Sequence, residues 1–228
     1  MTQEFIYTPP RDPFLEILYE DDAIVVVNKP SGLLSVPGRD PRYHDSILSR
    51  VRERAPEAQA AHRLDMATSG IMAVPKNSRV SGILGKQFQK RSTLKIYYAW
   101  VYGVPESPEG VIKLPLITDI ANRPYQIVDF ANGREAITQY AVIHTDPDKS
   151  RSLIRLHPLT GRSHQLRVHM KEIGHPILGD PLYAPEDIRD LAPHLLLHAW
   201  SLTFYHPVSN QKMTFRHDPP FPVPVKLF

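Results

Sequence analysis

The sequence predicts an α+β fold whose β-sheet is mixed and mostly antiparallel. Strand-like segments outnumber helical ones, and several follow one another without a helical crossover, which favours antiparallel pairing. The 23 prolines among the 228 residues are scattered, which indicates many turns and no proline-rich tether. We therefore expect a single domain over residues 1–228, in which residues 1–17 form an N-terminal extension.

The first half of the chain is predicted to alternate buried strands with helices. Ala23–Asn28 is an apolar, β-branched run typical of a buried strand, and the Lys-Pro-Ser-Gly sequence that follows predicts a turn. Ser46–Arg54 has the spacing of a short amphipathic helix before Pro56. Gly70–Val74 is short and apolar, and we predict a strand there.

Asn77–Lys90 is predicted to be an amphipathic helix with Asn77 as its N-cap. At about 100° per residue, three apolar residues share one face and three basic residues share another, well separated face, with Ile83 beside the basic one. The apolar face contains Val80, Leu84 and Phe88, and the basic face contains Arg79, Lys86 and Lys90.

The second half of the chain is predicted to be rich in strands. Leu94–Gly103 is β-branched and aromatic, which favours a strand. Ser163–Ile173 has the pattern of a helix, and Gly174 is expected to end it. The other strand candidates are Ala136–His144, Ser152–His157, Leu195–Tyr205 and Lys212–Arg216.

The charge distribution suits a nucleic-acid-binding surface, although the net charge alone does not establish one. The formal net charge is only +3, with a pI of about 9.0. Residues 73–105 contain basic side chains and no acidic ones, and the alternative interpretation of this patch is an ordinary solvated surface. The patch contains Lys76, Arg79, Lys86, Lys90, Arg91 and Lys95.

Several functional classes have no support in the sequence. The absence of cysteine excludes disulfides and thiolate metal sites. No apolar run approaches the length of a membrane span, and the N-terminus lacks the features of a secretory signal, so we expect a cytoplasmic protein that does not enter a membrane. No P-loop, GxGxxG or GxSxG sequence points to a nucleotide cofactor or a serine nucleophile.

The segment HRLDMATSG, His62–Gly70, lies between a predicted helix and a predicted strand, so we expect it to be a loop. It is dense in His, Arg, Asp, Thr and Ser, and functional residues concentrate in such loops. The alternative is a purely structural turn in which Asp65 bonds to nearby backbone.

The segment LTGRSHQLRVH, Leu159–His169, is predicted to turn into a helix. Arg162, Gln165 and His169 have i, i+3 and i+7 spacing and are expected to share a helix face. Two interpretations stay open for that face, a solvated surface and a row of donors that lines a cleft. Arg162, at the helix start, suits a bidentate bond to a carboxylate or phosphate.

A metal site is not expected, although the chain has 11 histidines. His164 and His169 lie five residues apart and cannot reach one metal from a single helix face. His194 and His198 have i, i+4 spacing but fall in an apolar, strand-like segment without an HExxH sequence. We therefore expect no metal and no cofactor.

Five segments, in order, resemble the motifs of the RluA family of pseudouridine synthases. HRLDMATSG is similar to the catalytic motif, and KIYYAWVYG is similar to the motif that carries the active-site tyrosine, here Tyr97. Five motifs in one order, over nearly the whole chain from Leu18 to about His206, argue strongly against a chance match. The other matching segments are NKPSGLLSVPG (Asn28–Gly38), LTGRSHQLRVHM (Leu159–Met170) followed by HPILGD (His175–Asp180), and LLLHAW (Leu195–Trp200).

The resemblance implies an α+β catalytic domain in which a central cleft divides a mixed sheet and holds Asp65. It implies isomerisation of uridine to pseudouridine in RNA without metal or cofactor. Asp65 is then the catalytic carboxylate, Arg162 pairs with it and keeps it ionised, and Tyr97 stacks on the target uracil. From the residues alone, the alternative for Tyr97 is a core aromatic on a strand.

The remaining predicted contacts serve the RNA. Arg63 is a candidate to fill the space that a flipped-out uridine vacates, and His62 is expected to position the loop through a hydrogen bond. The basic helix face is expected to contact phosphates. The full set of predicted RNA-binding residues is His62, Arg63, Thr68, Lys76, Arg79, Lys86, Lys90, Gln165 and His169.

The resemblance also bears on the substrate. Many family members carry an N-terminal S4 RNA-binding domain, which we expect this chain to lack because its first motif strand starts near Ala23. Its short length and LLSVPGR stretch resemble a dual-specificity member that modifies uridines in 23S ribosomal RNA and in the tRNA anticodon loop. We expect RNA as the partner, no obligate protein partner, and a monomer.

Three alternatives remain at this stage. The chain is a synthase for a different tRNA uridine only, a non-catalytic RNA-binding protein, or an N-glycoside hydrolase that releases free uracil. A binding protein would not need Asp65, Tyr97 and Arg162 together, and a hydrolase would admit water to the cleaved base.

Overall fold

A computed structural model describes residues 6–227 and divides the chain into two compact units. Unit 1 comprises the chain up to Thr93 together with Leu202–His217, and unit 2 comprises Leu94–Ser201 together with the chain from Asp218 onward. The single domain over residues 1–228 stays a prediction, and residues 1–5 of the expected N-terminal extension lie outside the described part of the chain.

Unit 1 contains antiparallel strands with one helix packed against them. Strands β1 (Glu16–Glu20), β2 (Ile24–Lys29) and β3 (Ser69–Pro75) pair in that order, with Val26 of β2 opposite Ala73 of β3. Val80 and Leu84 of helix α2 pack into the apolar cluster of this unit together with Phe204. The elements are β1 (Glu16–Glu20), β2 (Ile24–Lys29), α1 (Ile47–Arg52), β3 (Ser69–Pro75), α2 (Ser78–Gln89), the last residues of β10 (Leu197–Tyr205) and β11 (Lys212–Arg216).

Arg50, a fully buried arginine of α1, holds the N-terminal segment of unit 1 by hydrogen bonds. Its guanidinium binds the Asp45 carboxylate through two bonds of 2.7 and 2.8 Å. The same group donates to the carbonyls of Phe14 at 2.6 Å and Pro10 at 2.7 Å. Part of the predicted extension is therefore ordered against the body of unit 1.

The sheet strands of unit 2 pair antiparallel in the order β4 (Leu94–Tyr102), β9 (Arg151–Pro158), β8 (Ile137–Asp146) and β5 (Glu109–Lys113). One face packs into an apolar cluster that includes Tyr98, Trp100 and Trp200. The elements are β4 (Leu94–Tyr102), β5 (Glu109–Lys113), β6 (Leu116–Thr118), β7 (Gln126–Val128), β8 (Ile137–Asp146), β9 (Arg151–Pro158), α3 (Gln165–Glu172), α4 (Glu186–Arg189) and the first residues of β10.

The predicted α+β class with a mixed, mostly antiparallel sheet is confirmed. Helix α2 and strand β11 lie where the sequence predicted them. The predicted helix Ser163–Ile173 is shorter, because it begins at Gln165 after His164, whose backbone is left-handed at φ 54°. No helix among residues 6–227 is both long and apolar enough to cross a membrane.

Candidate active site

Asp65 lies in the irregular segment between α1 and β3, at a tight turn that leads into the strand. Its backbone carbonyl accepts a hydrogen bond from the Thr68 N–H at 3.1 Å. Thr68 is buried, and β3 begins at the next residue, Ser69. The half-buried Asp65 therefore begins the turn that leads into β3.

The NKPSGLLS segment holds the backbone on both sides of Asp65. The Ser35 hydroxyl donates to the Leu64 carbonyl at 2.7 Å and accepts from the Leu64 N–H at 3.0 Å. The Gly32 N–H donates to the Met66 carbonyl at 2.9 Å. We call residues 29–35 the loop cradle. Bonds to both chain neighbours of Asp65 limit where its carboxylate can lie, which is the preorganisation that catalysis requires.

Two further side chains of the loop cradle reach the same loop. The Ser31 hydroxyl donates to the Ala67 carbonyl at 2.7 Å. Lys29 is 0% exposed, and its ammonium has three N–H donors, all of which find backbone carbonyls. The acceptors are the carbonyls of Pro30 at 2.9 Å, Leu33 at 2.6 Å and Met66 at 2.9 Å.

Burial makes the charge state of Lys29 sensitive to its surroundings. Removal from water lowers the pKa of Lys29 to about 7, and the nearby Asp65 carboxylate opposes that shift. The loop cradle thus places a buried ammonium in the electrostatic neighbourhood of the candidate catalytic carboxylate. The sequence analysis quoted this lysine within a motif but gave it no role.

His62 fixes the start of the Asp65 loop. Its Nε2 accepts a hydrogen bond from the Ala73 N–H at 3.0 Å, so that nitrogen carries no proton. The imidazole stacks on Phe88 with ring centroids 4.2 Å apart. These contacts agree with a positioning role. Arg63, the next residue, is exposed.

Helix α2 presents its basic residues as the spacing predicts. Arg79, Lys86 and Lys90 are exposed, whereas Val80 and Leu84 on the other side are buried. The Asn77 side chain accepts from the Val80 N–H at 3.0 Å, which caps the helix. Lys76, at the end of β3, instead forms an ion pair of 2.8 Å with Glu20, so its charge is partly compensated within unit 1.

Tyr97 in unit 2 lies on β4 opposite Leu156 of β9. Its neighbour Tyr98 is buried and meets Trp200 edge-on at 5.4 Å between ring centroids. Successive side chains of a strand project to opposite faces, so Tyr97 projects away from that apolar cluster. It is half-buried, and Tyr98 is the core aromatic of the pair.

The segment that carries Arg162 is held by Gln165, the first residue of α3. The Gln165 side-chain oxygen accepts from the Arg162 N–H at 3.0 Å and from the Thr160 hydroxyl at 2.7 Å. The Arg162 guanidinium donates from Nε to the Glu135 carbonyl at 2.9 Å. Because Arg162 precedes the helix, the predicted helical face shared with Gln165 and His169 is not formed.

Gln165 and His169 are buried, and their polar atoms are used inside unit 2. His169 Nε2 donates to the Leu114 carbonyl at 3.0 Å, and its Nδ1 accepts from the Thr138 hydroxyl at 2.9 Å. Burial lowers the pKa of His169, which favours this neutral form. Gln165 Nε2 donates to the same Thr138 hydroxyl at 3.0 Å. Both side chains thus support the Arg162 segment from behind.

Asp180 of the HPILGD segment is a second structural anchor that the sequence analysis did not identify. It is fully buried and binds Arg167 through two bonds of 2.8 and 2.6 Å. Its carboxylate also accepts from the Leu182 N–H at 2.9 Å. At the neighbouring Gly179, with φ 73°, any Cβ would collide with the His194 carbonyl, so only glycine fits.

Among residues 6–227, no group of three or more His, Cys, Asp or Glu side chains is arranged to hold a metal ion. In unit 1 the structure holds a carboxylate on a turn whose backbone is hydrogen-bonded on both sides, a group that suits acid–base or nucleophilic chemistry. In unit 2 it holds a half-buried tyrosine, which suits contact with an aromatic ring, and an arginine whose Nε is hydrogen-bonded to backbone.

Comparison with known proteins identifies relatives over nearly the whole chain. A family model described as RNA pseudouridylate synthase matches residues 23–172. The Escherichia coli protein named dual-specificity RNA pseudouridine synthase RluA is 50% identical over 210 residues, which cover 92% of this chain and 95% of the relative. The Vibrio cholerae protein of the same name is 50% identical over 204 residues, which cover 90% of this chain and 82% of that relative.

Two solved human structures are similar in fold. RNA pseudouridylate synthase domain containing 1 superimposes with a TM-score of 0.75 at 26% identity, covering 97% of this chain and 87% of that one. RNA pseudouridylate synthase domain containing 4 superimposes with a TM-score of 0.72 at 27% identity, covering 90% of this chain and 88% of that one.

Proposed function

We propose that this chain acts on two RNA substrates, 23S ribosomal RNA and transfer RNA. The chain belongs to the RNA pseudouridylate synthase family and is an isomerase that forms pseudouridine in RNA. The observation that carries the proposal is the identity of about half of all aligned residues with enzymes whose names state dual specificity. The LLSVPGR stretch, which resembles the dual-specificity member of the family, supports the same two RNA classes.

The reaction moves a glycosidic bond within one nucleotide. The N1–C1′ bond of uridine breaks, the base turns, and a C5–C1′ bond forms. C5 then loses its proton and N1 ends protonated, so no water or redox partner is consumed. Positive charge develops at C1′, and a carboxylate beside that carbon stabilises it.

We assign Asp65 to that role. It either attacks C1′ or removes the 2′ proton to give a glycal-like intermediate. The backbone bonds of the loop cradle support the assignment, because a braced carboxylate meets a developing charge without further reorganisation.

Arg162 and Tyr97 complete the proposed chemistry. By resemblance to the family's motifs, Arg162 is the proposed partner of the Asp65 carboxylate. Tyr97 stacks on the target uracil and assists removal of the C5 proton. The bracing of Arg162 by Gln165 and the projection of Tyr97 away from the core support these roles.

The proposed RNA contacts lie on the exposed side chains. Arg79, Lys86 and Lys90 bind phosphates, and Arg63 fills the space of the flipped uridine. We further propose a monomer that acts in the cytoplasm, where its two RNA substrates are found.

The test is tritium release from RNA labelled at C5 of uridine, with total tRNA and 23S rRNA as separate substrates. We expect the wild type to release tritium from both, and Asp65→Asn from neither. Asp22→Asn is the matched control, because Asp22 is an exposed carboxylate in the same unit, and it should retain full activity.

Release from only one RNA would overturn dual specificity and favour a synthase for a single RNA class. Free uracil among the products would indicate an N-glycoside hydrolase. Activity in Asp65→Asn comparable to the control would overturn the assignment of Asp65.

A further inference from the structure

The segment from Asp119 to Asn132 contains the same rigid turn twice, ten residues apart. The sequence reads Asp-Ile-Ala-Asn at 119–122 and Asp-Phe-Ala-Asn at 129–132. Asp119 Oδ1 accepts from the backbone N–H of the residues two and three positions later, each at 3.1 Å. Asp129 Oδ1 accepts from the equivalent N–H groups at 2.8 and 2.9 Å. These are Asx turns, whose carboxylate fixes the backbone locally.

Each turn presents one large apolar side chain to solvent. Ile120 is 75% exposed and Phe130 is 79% exposed, at opposite ends of the β6–β7 sheet. Between them, Ile127 pairs with Ile117 on the outer face of that sheet and is also exposed. The Asx turns do not require these side chains, because any residue at the second position keeps the aspartate bonds.

The inner face of the same small sheet is packed against the rest of unit 2. The exposed apolar residues are therefore additional to the core of this sheet. Leu116 is buried against Val168 of α3, with Val128 packed beside it. At Gly133 a Cβ would collide with the Asp129 carbonyl, so the second turn closes tightly. We call residues 116–134 the arm, and Ile120, Ile127 and Phe130 its apolar face. Arg123 and Arg134, which follow the two turns in the sequence, are also exposed.

The arm is fixed to the segment that carries Arg162. The Gln126 N–H donates to the Tyr183 hydroxyl at 2.9 Å, and His164 Nδ1 lies 2.6 Å from the same hydroxyl. Directly after the arm, the Glu135 carbonyl accepts from Arg162 Nε at 2.9 Å. The apolar face is therefore held in a defined place beside a residue of the proposed active site.

We propose that the apolar face of the arm binds unpaired nucleobases of the substrate RNA, outside the target uridine. A flat aromatic ring and neighbouring arginines are the groups that bind unstacked bases and their phosphates. The arm adjoins the segment that carries Arg162, so nucleotides next to a uridine bound there are the nearest available partners. The proposal rests on RNA as substrate and is independent of dual specificity.

The test compares Phe130 variants in the whole enzyme, with whichever labelled RNA the wild type converts. We expect Phe130→Ala to raise both KM for RNA and the Kd measured by fluorescence anisotropy by about 5- to 150-fold, the range for loss of one stacked base, while kcat at saturating RNA is kept. Phe130→Trp should restore tight binding, and Phe130→Leu should restore it only in part. Leu191→Ala is the matched control, because Leu191 is a large exposed apolar residue of the same unit, and its Kd should equal that of the wild type.

Substitution of 2-aminopurine for single loop bases identifies the contacted nucleotide. Its fluorescence should be quenched by the wild type and not by Phe130→Ala. An Ile120→Ala/Phe130→Ala double variant with wild-type Kd and KM would overturn the proposal. So would concentration-dependent self-association of the wild type, seen by sedimentation and lost in the double variant, since the apolar face would then bind a second copy of the chain. Because any converted RNA serves as substrate, loss of tritium release from one RNA class leaves this test intact.

Discussion

At the scale of single residues, the Ser35 hydroxyl makes two hydrogen bonds to the backbone of Leu64, the residue before Asp65. It donates to the Leu64 carbonyl and accepts from the Leu64 N–H. We predict that Ser35→Ala lowers kcat by about tenfold or more with little change in KM, since the braced loop gains freedom. It should also lower the free energy of unfolding by about 1–3 kcal/mol, because two buried polar groups lose their partner. Steady-state tritium release and chemical denaturation measure the two effects.

A matched control separates positioning from stability. Thr203 is buried in the same unit, and its hydroxyl lies 2.9 Å from that of Thr214. Thr203→Val should lower stability without lowering kcat. If Ser35→Ala kept the kcat of the control, the loop cradle would have no role in positioning Asp65.

Lys29 gives the stability of unit 1 a distinctive dependence on pH. Its pKa is about 7 in the folded chain and about 10.4 when unfolded, so between these values the unfolded state binds more protons. The free energy of unfolding contributed by this group therefore rises with pH across that window, and the burial penalty is fully present below about pH 7. We predict that wild type gains stability relative to Lys29→Met as the pH is raised from about 6.5 to about 9.5.

Urea denaturation at several pH values in this window measures the difference. Lys113→Met is the control, because Lys113 is exposed. The free energy of unfolding of this variant should change with pH in the same way as that of the wild type. Parallel curves for Lys29→Met and wild type would contradict the low pKa.

The sequence predicted the loop around Asp65 but not what holds it. His62, Asp65 and the turn into β3 could be read from local composition. The roles of Lys29 and Ser35 could not, because their acceptors lie 37 and 29 residues further along the chain. A lysine directly after an apolar strand was the one available signal, and only tertiary structure shows that it is buried.

At the scale of elements, prediction succeeded where a local signal was strong. The Asn77 cap and the apolar spacing defined α2 to within one residue at each end. Strands β1, β5, β6 and β7 were missed, because strands this short contain few alternating residues, and β6 and β7 expose part of their apolar surface. The start of α3 was wrong because left-handed backbone at His164 replaces an ordinary cap.

The exposed basic face of α2 yields a prediction of its own. We expect Lys86→Gln and Lys90→Gln each to reduce the slope of log Kd against log salt by about 0.7, if each lysine neutralises one phosphate of single-stranded RNA. Anisotropy titrations across a KCl series measure the slope.

Lys212→Gln is the control for this experiment, because Lys212 is exposed on β11 of the same unit. Its slope should match that of the wild type. Unchanged slopes in both α2 variants would show that phosphates bind elsewhere.

At the scale of the whole molecule, the path of the chain joins the two units. It passes between them after Thr93, Ser201 and His217, so neither unit is one continuous stretch of sequence. We therefore predict one cooperative unfolding transition for the whole chain, as expected of a single domain. Calorimetric and van't Hoff enthalpies should agree.

Probes in each unit provide the check. Trp100 and Trp200 both belong to unit 2, so a Phe204→Trp variant in a Trp100→Phe/Trp200→Phe background reports on unit 1. Its fluorescence midpoint should coincide with that of wild type after correction for the stability of each variant. Separate midpoints would mean that the units unfold independently.

The loop cradle also has a consequence for how this protein can vary. Its bonds to the Asp65 loop end on backbone atoms at residues 64, 66 and 67, and backbone atoms are the same whatever the side chain. Half-buried Met66 and Ala67 should therefore drift freely during evolution, while Lys29, Ser31 and Ser35 are held under selection. Apart from Asp65 itself, the constrained positions around the reaction would then include several that lie outside the catalytic loop.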